Sequence, residues 1–356
     1  FIYPSYIDIR LYKFMKSFLD IGYTVYIAYH KHGSLKFFGH KLKNYDKNIN
    51  TIRVGNFLPV NFPFNFIRNF KIRKLIKKIK PDVVICRDIL LSGFYRLYLN
   101  KYIKNSIYLD VCDNYPEVIE IVLKGNIGKI GMFIANKIEK NAISKFPNII
   151  FVSNESLRYI KNKHNIEEIN HPYIVYNVPN HTLNISLIKE NNRENDLIYI
   201  GTINKNIRDL DTIFKSLRYL KKERNLLINF DIYYFQHQKG IVDYYKKICD
   251  ILNINKQVRF INAVKKEELS NILLTYKIGV VPHCRNKATD FTIPNKIFDY
   301  MQHGLPVLAS DNPSLKRIVE RYSVGVCYKG GDYLDCSKQI EEIISKYNKK
   351  HYKYKL

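Results

Sequence analysis

The sequence predicts an α/β fold of two Rossmann-like domains, each with a parallel β-sheet between layers of helices. Short β-rich runs alternate with helix-period segments along the whole chain, which is typical of parallel strands joined by crossover helices. The chain has 356 residues, roughly twice the length of a typical single domain. Its hydrophobic fraction of 46% supplies enough apolar side chains for globular cores, so we expect a folded chain.

The alternation locates the main elements in order. In the first half, the β-rich runs are 25–28, 83–86, 107–111 and 149–152, and the helical patterns are 11–19, 66–80, 89–102 and 127–144. In the second half, the β-rich runs are 197–200, 228–234, 258–261, 278–281 and 307–309, and a clear helical pattern spans 210–220. A polar stretch at 182–196 separates the two sets. We therefore predict domains 1–180 and 181–356, with the last helix a candidate to pack back on the first domain.

Cysteine usage and hydropathy indicate a cytoplasmic protein. The six cysteines form no C-x-x-C pair, so we expect reduced thiols and neither a disulfide framework nor a zinc site. No window offers the roughly 18 uninterrupted apolar residues of a spanning helix, and no secretory signal is evident. The sequence leaves open whether a segment precedes Phe1.

The chain is strongly basic, with a formal net charge of +26 from 58 basic and 32 acidic side chains. Such an excess favours polyanionic partners, namely nucleic acid, anionic lipid or diphosphate substrates. Residues 62–80 carry seven basic and no acidic side chains, interleaved with aromatic and aliphatic ones. This segment either lies in the headgroup region of a membrane or packs its aliphatic side chains on the sheet and exposes its lysines.

Residues 292–311 are the most informative segment, because they predict a loop, a short helix and a buried strand. Pro294 suits the first helical turn, and Thr292 is placed to cap that turn. Gly304 lies where the helix should end. Lys296 adds a full positive charge to the positive end of the helix dipole, so this helix start suits a phosphate group.

Asn295 and Asp299 lie four residues apart and share one face of that helix. A carboxylate one turn below a phosphate site is placed to accept hydrogen bonds from ribose hydroxyls. The combined pattern fits a nucleotide site. The alternative is an ordinary helix-to-strand connection, which also places proline, glycine and scattered charges in such positions.

Further candidates follow predicted strands, at the edge where open α/β sheets bind ligands. Gly201 and Thr202 directly follow a strand, and a glycine there lets backbone come close to a ligand. Lys205 and Arg208 lie in the next loop and could neutralise a diphosphate. His283 follows another strand and could point into the same region.

The runs 294–311, 197–202, 258–261 and 278–283 resemble the C-terminal half of glycosyltransferase family 4 (glycosyl transferases group 1), whose members have the GT-B fold. Residues 110–117 resemble the family's N-terminal Asp-x-His-Asp/Glu-x-x-Pro-Glu segment. The resemblance implies two Rossmann-like domains facing a central cleft, with the donor held by the second. It also implies transfer of a sugar from a nucleotide-diphosphate donor to an acceptor hydroxyl, with retained configuration.

The resemblance assigns roles to residues of this chain. The implied catalytic residues are Asp113, Lys296 and Arg208, and the implied acceptor-side residues are Asp8, Arg10 and Glu117. The implied donor-binding residues are Gly201, Thr202, Lys205, His283, Pro294, Asn295 and Asp299. No metal or other cofactor is expected. The implied partners are a nucleotide-sugar donor and an acceptor hydroxyl. The basic charge and the aromatic-basic segment 62–80 further suggest a glycan or lipid-linked acceptor of surface polysaccharide or glycolipid synthesis, with peripheral association with the inner face of the cytoplasmic membrane.

The family pattern breaks in three places. One is the Gly-rich loop often found near the N-terminus, which is missing here and whose place residues 4–10 occupy. Many family members have two acidic residues separated by seven others; Asp299 matches the second, whereas Phe291 occupies the first and Asp290 is one residue out of register. Cys112 replaces the histidine of the N-terminal segment, and a thiol is a poor substitute for imidazole in hydrogen bonding. These departures keep three alternatives open: a nucleotide-sugar epimerase of the same fold, an inactive transferase and, less favoured, a nucleic-acid-binding protein.

Overall fold

The computed structural model describes residues 1–3, 9–30, 36–37, 40–41, 47–55, 66–87, 106–112, 114, 116–117, 119, 125–178, 193–235 and 240–348. The chain divides into two compact units, Phe1–Asn177 and Val178–Leu356. All six cysteines are free thiols. Within the described ranges, none of the helices is both long and apolar enough to cross a membrane.

The N-terminal unit has a seven-stranded parallel sheet in the order β5-β2-β1-β6-β7-β8-β9. Its strands are β1 (Ile2–Tyr3), β2 (Val25–His30), β5 (Ile49–Gly55), β6 (Val84–Arg87), β7 (Ile107–Val111), β8 (Asn148–Phe151) and β9 (Pro172–Ile174). A separate antiparallel pair consists of β3 (Lys36–Phe37) and β4 (His40–Lys41). The helices are α1 (Ile9–Asp20), α2 (Phe66–Ile79), α3 (Gly125–Lys145) and α4 (Asn154–His164).

Helix α2 is the basic segment for which the sequence leaves two arrangements open. Its Ile72 and Ile76 are buried in the hydrophobic core of the N-terminal unit, and Leu75 packs against that core. Lys71, Lys74 and the other described basic side chains of the helix are exposed. The described aliphatic side chains of α2 therefore face the sheet, as the second of the two arrangements requires.

The C-terminal unit has a six-stranded parallel sheet in the order β12-β11-β10-β13-β14-β15. Its strands are β10 (Asn195–Thr202), β11 (Phe230–Phe235), β12 (Val258–Asn262), β13 (Tyr276–Val281), β14 (Val307–Ser310) and β15 (Gly325–Tyr328). Its helices are α5 (Leu210–Glu223), α6 (Ile241–Ile251), α7 (Lys266–Leu273), α8 (Lys296–Gln302), α9 (Pro313–Tyr322) and α10 (Tyr333–Asn348). The α/β class with parallel sheets is as predicted.

The predicted strands agree with the observed ones to within about two residues, and the helix predicted at 89–102 lies outside the described residues. The central strands β13 and β14 are almost wholly buried, as expected for parallel strands covered on both faces. The last helix, α10, places Ile340 and Ile343 in the core of the C-terminal unit. Its packing on the N-terminal domain stays a prediction.

Helix α8 starts later than its sequence suggests. It begins at Lys296, and Pro294 precedes it with its carbonyl accepting the N–H of Ile297 at 3.2 Å. The predicted cap is wrong: the Thr292 hydroxyl donates to the carbonyl of Thr289 at 3.3 Å, because the preceding loop turns back on itself. The C-terminal end of α8 is as predicted. Gly304 has φ +65 and takes the left-handed conformation that glycine tolerates best.

Tyr300 joins α8 to the sheet through a contact that only glycine permits. Its hydroxyl donates to the carbonyl of Ile198 at 3.3 Å and accepts the N–H of Ile200 at 3.1 Å, both in β10. Its ring lies over Gly279 of β13, where an added Cβ would be 2.4 Å from ring carbons. The absence of a side chain at Gly279 therefore sets how closely α8 approaches the sheet.

Gly279→Ala should lower the free energy of unfolding by about 1–3 kcal/mol, because the new methyl group overpacks the core against the Tyr300 ring. Urea denaturation measures this loss. The matched control is the same substitution in a Tyr300→Ala background, where the methyl group has space and the two losses should not add. Additive losses would show that the ring is not the cause.

Candidate functional site

The topology of the C-terminal unit places its candidate residues at one edge. From β10 the chain passes to β11 and β12 on one side and then returns to β13 on the other side of β10. The gap between the carboxyl ends of β10 and β13 is therefore a switch point, where open α/β sheets bind their ligands. Gly201 and Thr202 end β10, and His283 lies just after β13.

The loops that follow these two strands are joined by backbone hydrogen bonds. The N–H of Asp209 donates to the carbonyl of Pro282 at 2.9 Å, and that of Cys284 donates to Ile207 at 3.0 Å. Arg208 and His283 face each other in this short antiparallel bridge. The pairing joins the two loops and places Arg208 directly opposite His283.

The ammonium group of Lys296 is buried at the same edge. Its Nζ lies 3.8 Å from the ring centre of Tyr199 and has no hydrogen-bond acceptor among the residues that the structure describes. A Cβ added at Gly201 would be 2.8 Å from this Nζ, and Gly201 has φ +143. Glycine adopts this backbone conformation without strain, and a side chain at this position would also require the Nζ of Lys296 to shift.

Burial and the nearby Arg208 charge lower the pKa of Lys296 well below its ordinary value of 10.5, while the Asp299 carboxylate partly opposes this effect. An ammonium group without an acceptor costs free energy when it is removed from water. Such a group is typical of a functional site, where a ligand supplies the missing partner.

His283 supplies a second buried donor. Burial, Arg208 and Lys296 lower the pKa of His283 well below 6.5, so the imidazole is neutral near pH 7. Its Nε2 lies 2.5 Å from Nη1 of Arg208, and because guanidinium only donates, Nε2 is the acceptor. The remaining proton is therefore on Nδ1, which is buried and has no hydrogen-bond partner within the described part of the chain.

Arg208 contacts both aromatic side chains of this cluster, Tyr199 and His283. Its Nε donates to the hydroxyl of Tyr199 at 3.0 Å, while its Nη1 donates to His283. One tyrosine thus contacts both Arg208 and Lys296. Two positively charged side chains and an imidazole N–H converge at the switch point, which is an arrangement suited to a compact polyanion such as a diphosphate.

The other predicted donor-side residues are distributed around this cluster. The carbonyl of Thr202 accepts the hydroxyl of Tyr199 at 2.7 Å. Asn295 does not cap α8 with its side chain; its carbonyl accepts the N–H groups of Phe298 and Asp299. Lys205 is directed elsewhere, because its exposed Nζ donates to the hydroxyl of Tyr244 at 2.8 Å. The structure thus brings Arg208, His283 and Lys296 together and leaves Lys205 outside their cluster.

Asp290, which is next to Phe291 at the position of the family's first acid, has a structural role. Asp290 accepts hydrogen bonds from Arg285 at 2.9 Å and from the side-chain amide of Asn312 at 2.7 Å. Arg285 also forms an ion pair with Asp311 at 2.9 Å. These contacts fix the loop that carries Phe291, so the Asp290 carboxylate is committed to that loop.

Of the N-terminal candidates, Asp8 and Asp113 lie outside the described residues. Arg10 is buried and donates through Nε and Nη2 to Asp110, with its Nη1 2.7 Å from the carbonyl of Val175. Glu117 is also buried, and its Oε1 accepts from Tyr159 at 2.5 Å and from Lys163 at 2.7 Å. Both side chains hold elements of the N-terminal unit together.

Tyr199 is the residue of this site that sequence reasoning missed. Its signal was present, because positions two apart on a strand face the same side and Tyr199 precedes Gly201 by two. Hydrophobicity alone assigns such a tyrosine to the core, where it is indeed buried. Its contacts with a lysine from α8 and an arginine from the next loop depend on tertiary structure.

Comparison with known proteins gives the family. The family model "Glycosyl transferases group 1" matches residues 184–355, and the model "Glycosyl transferase 4-like" matches residues 9–109. No curated protein sequence matches the chain significantly. Among the described ranges, no group of three or more His, Cys, Asp or Glu side chains is arranged to hold a metal ion.

Solved structures give the fold. Sucrose-phosphate synthase from Thermosynechococcus elongatus is similar with a TM-score of 0.69 and 13% identity, over 96% of this chain and 84% of that chain. A glycosyltransferase from Rickettsia africae ESF-5 is similar with a TM-score of 0.68 and 13% identity, over 97% and 88%. HepE from Anabaena, in complex with UDP, has a TM-score of 0.66 and 11% identity, over 98% and 91%.

The two parallel-sheet units, the switch-point cluster and these matches define the class as a GT-B-fold glycosyltransferase. The chain belongs to the glycosyltransferase family 4-like enzymes, and the family resemblance noted in its sequence is confirmed.

Lys296→Met should raise the free energy of unfolding by about 1 kcal/mol or more. Desolvation of an unpaired ammonium costs several kcal/mol, which exceeds the roughly 1 kcal/mol of the cation–π contact with Tyr199. Because the folded-state pKa of Lys296 lies below the unfolded value of 10.5, the gain should be largest below the folded pKa. It should shrink as pH rises toward 10.5.

Urea denaturation over a pH series measures both effects. Lys205→Met is the matched control, because it removes an exposed lysine that already has a partner, and it should give no gain. A loss of stability in Lys296→Met would show that the ammonium has an acceptor in the folded protein.

Proposed function

We propose that the enzyme transfers a sugar from a nucleoside-diphosphate donor to an acceptor hydroxyl, with retained configuration and without a metal ion. The observation that carries the proposal is the pair of buried donors without acceptors, Nζ of Lys296 and Nδ1 of His283, beside Arg208. A diphosphate bound there would accept from both donors. Its negative charge would oppose the effects of burial and of the Arg208 charge, which lower the pKa of Lys296.

The same cluster would stabilise the leaving diphosphate during transfer. Negative charge grows on the leaving oxygen as the bond to the sugar breaks, and fixed positive groups stabilise it most when water is excluded. Lys296 and Arg208 already have such positions, because Gly201, Tyr199 and the paired loops hold them. Little reorganisation would be needed during the reaction, which is the source of most electrostatic catalysis.

The proposed donor orientation follows from the position of Asp299, one helical turn beyond Lys296. With the diphosphate at the cluster, the Asp299 carboxylate would bind the ribose hydroxyls. Anabaena HepE, which shares the fold, has structures with UDP and with UDP and glucose. These two HepE structures support a nucleotide-sugar donor and leave the choice of base and sugar open.

For the acceptor we propose a glycan or lipid-linked intermediate of surface polysaccharide or glycolipid synthesis, used at an anionic membrane surface in the cytoplasm. The solved structure of WaaG, a glycosyltransferase involved in lipopolysaccharide biosynthesis, is similar with a TM-score of 0.65 and 12% identity. The net charge of +26 supports association with anionic lipid. On the basis of the family resemblance, Asp113 stays a proposed catalytic residue, and Asp8, Arg10 and Glu117 stay proposed acceptor-side residues.

A panel of nucleoside diphosphates should identify the donor base, because a ligand that binds the native state raises Tm. In Lys296→Ala the largest shift should disappear, and kcat/KM for transfer from the matching nucleotide sugar should fall roughly a hundredfold or more. Lys205→Ala is the control and should keep both the Tm shift and the kcat/KM of the parent protein. Normal turnover in Lys296→Ala would show that this lysine has no role in the proposed site.

Asp299→Asn should separate ribose binding from diphosphate binding. Affinity for the selected nucleoside diphosphate should fall about tenfold or more, because a hydrogen bond to a charged group is lost. Affinity for inorganic pyrophosphate should stay unchanged or increase, since a negative charge near Lys296 is removed. Isothermal titration calorimetry measures both. Equal losses for the two ligands would contradict the proposed orientation.

A further inference from the structure

Helix α3 (Gly125–Lys145) carries large apolar side chains on its outer surface. The exposed fractions are 72% for Ile127, 61% for Ile130, 59% for Phe133 and 49% for Ile134. The buried residues of the helix are mostly small: Gly128, Ala135 and Ala142, with Glu139 and Ile143. A helix of a water-soluble domain normally directs its large apolar side chains inward, so the first half of α3 has the opposite arrangement.

The exposed apolar side chains form one continuous surface. Ile127, Ile130 and Ile134 follow the i, i+3, i+7 spacing of a single helix face, and Phe133 lies beside them. The surface extends about 10 Å along the helix axis. Among the side chains that the structure describes, no other helix exposes as many large apolar residues. A contiguous patch of this kind indicates an interaction surface, whereas isolated exposed apolar residues do not.

Positive charge surrounds this apolar surface. Lys129, Lys137 and Lys140 are exposed on the same helix, and Nζ of Lys137 lies 4.5 Å from the ring centre of Phe133. The acidic residue of the helix, Glu139, is buried and paired with Lys163 and with His164. The outer side of α3 is therefore apolar and cationic, with no carboxylate of its own.

We propose that the α3 face, defined as Ile127, Ile130, Phe133 and Ile134 with Lys129, Lys137 and Lys140, binds the surface of an anionic phospholipid membrane. The apolar side chains would enter the region between headgroups and acyl chains, while the lysines contact lipid phosphates. The proposal rests on the proposed membrane-located acceptor for its biological role. It does not depend on the nucleotide site, which lies in the other unit.

Two competing arrangements fit the observations less well. A symmetric contact with a second copy would bring the lysines of two α3 faces together, and this like-charge contact is unfavourable. Helix α2 is also basic, but its Ile72 and Ile76 are buried in the core. Its described side chains provide one exposed apolar anchor, Phe70 with 66% exposure.

The chain contains no tryptophan, so a single introduced tryptophan reports its own environment. We expect Phe133→Trp to shift its fluorescence to the blue when vesicles of phosphatidylcholine and phosphatidylglycerol are added. Phe70→Trp, at a similarly exposed phenylalanine on α2, and Ile251→Trp, at an exposed isoleucine of the C-terminal unit, are the matched controls and should not shift. A shift at position 133 no larger than that at position 70 would overturn the proposal.

Co-sedimentation with the same vesicles tests the requirement for the α3 face. The double substitution Ile130→Ser/Phe133→Ser should weaken binding about tenfold or more, because each side chain buries apolar surface in the bilayer interface. Ile251→Ser should bind like the parent. Vesicles of phosphatidylcholine alone should bind weakly. Undiminished binding of the double variant, or equal binding to both vesicle types, would overturn the proposal.

Two measurements separate this proposal from its alternatives. Static light scattering determines the oligomeric state, and a dimer that the double substitution dissociates without loss of vesicle binding would identify the α3 face as a contact between copies. The Tm shift with nucleoside diphosphate, measured without vesicles, should be equal in parent and double variant. If that shift is absent from both while vesicle binding remains, the proposed function fails and the membrane proposal stands.

Discussion

The C-terminal unit is organised around one buried positive charge, the ammonium of Lys296. No acceptor compensates it, and the aromatic face of Tyr199 is its one direct stabilising contact among the described groups. A globular protein gains nothing in stability from this arrangement, since an apolar residue of similar length would fill the space without desolvating a charge. The arrangement makes physical sense when an anion completes it, which links the local free-energy cost to the proposed donor diphosphate.

Three features of the fold hold the Lys296 ammonium in place. Gly279 allows Tyr300 to bring α8 against the sheet, where its hydroxyl is bonded to the backbone of β10. Gly201 leaves the space that the lysine occupies. The bridge between Arg208 and His283 joins the two loops above the site. Each support acts on a different element, so the position of Lys296 relative to β10 and β13 is determined before a ligand binds.

Sequence reasoning predicted the fold and named Arg208, His283 and Lys296 because both leave local signals. Buried parallel strands are apolar runs, Lys296 begins a helix, His283 lies just after a strand, and Arg208 lies in the loop between a strand and a helix. The cap prediction was wrong because a bond within the preceding turn competes with capping. Thr292 bonds back to Thr289 instead of capping α8. Lys205 bonds to Tyr244, which comes from another helix. The basic composition of α2 drew attention to that helix, whereas the apolar surface of α3 depends on which side faces the core, and spacing alone does not specify this.

The contacts around Asp290 explain how this chain differs from its family at the sugar end of the site. With Phe291 at the position of the family's first acid, Asp290 is the nearest carboxylate in sequence, yet Arg285 and Asn312 hold it in the loop. Moving it toward a sugar would break a charge-assisted pair and leave Arg285 with Asp311 alone. Under the proposed function, recognition of the diphosphate and recognition of the sugar would therefore depend on different parts of this unit. The diphosphate would bind the buried cations beside the sheet, and the sugar would lie near a loop whose acid already has partners.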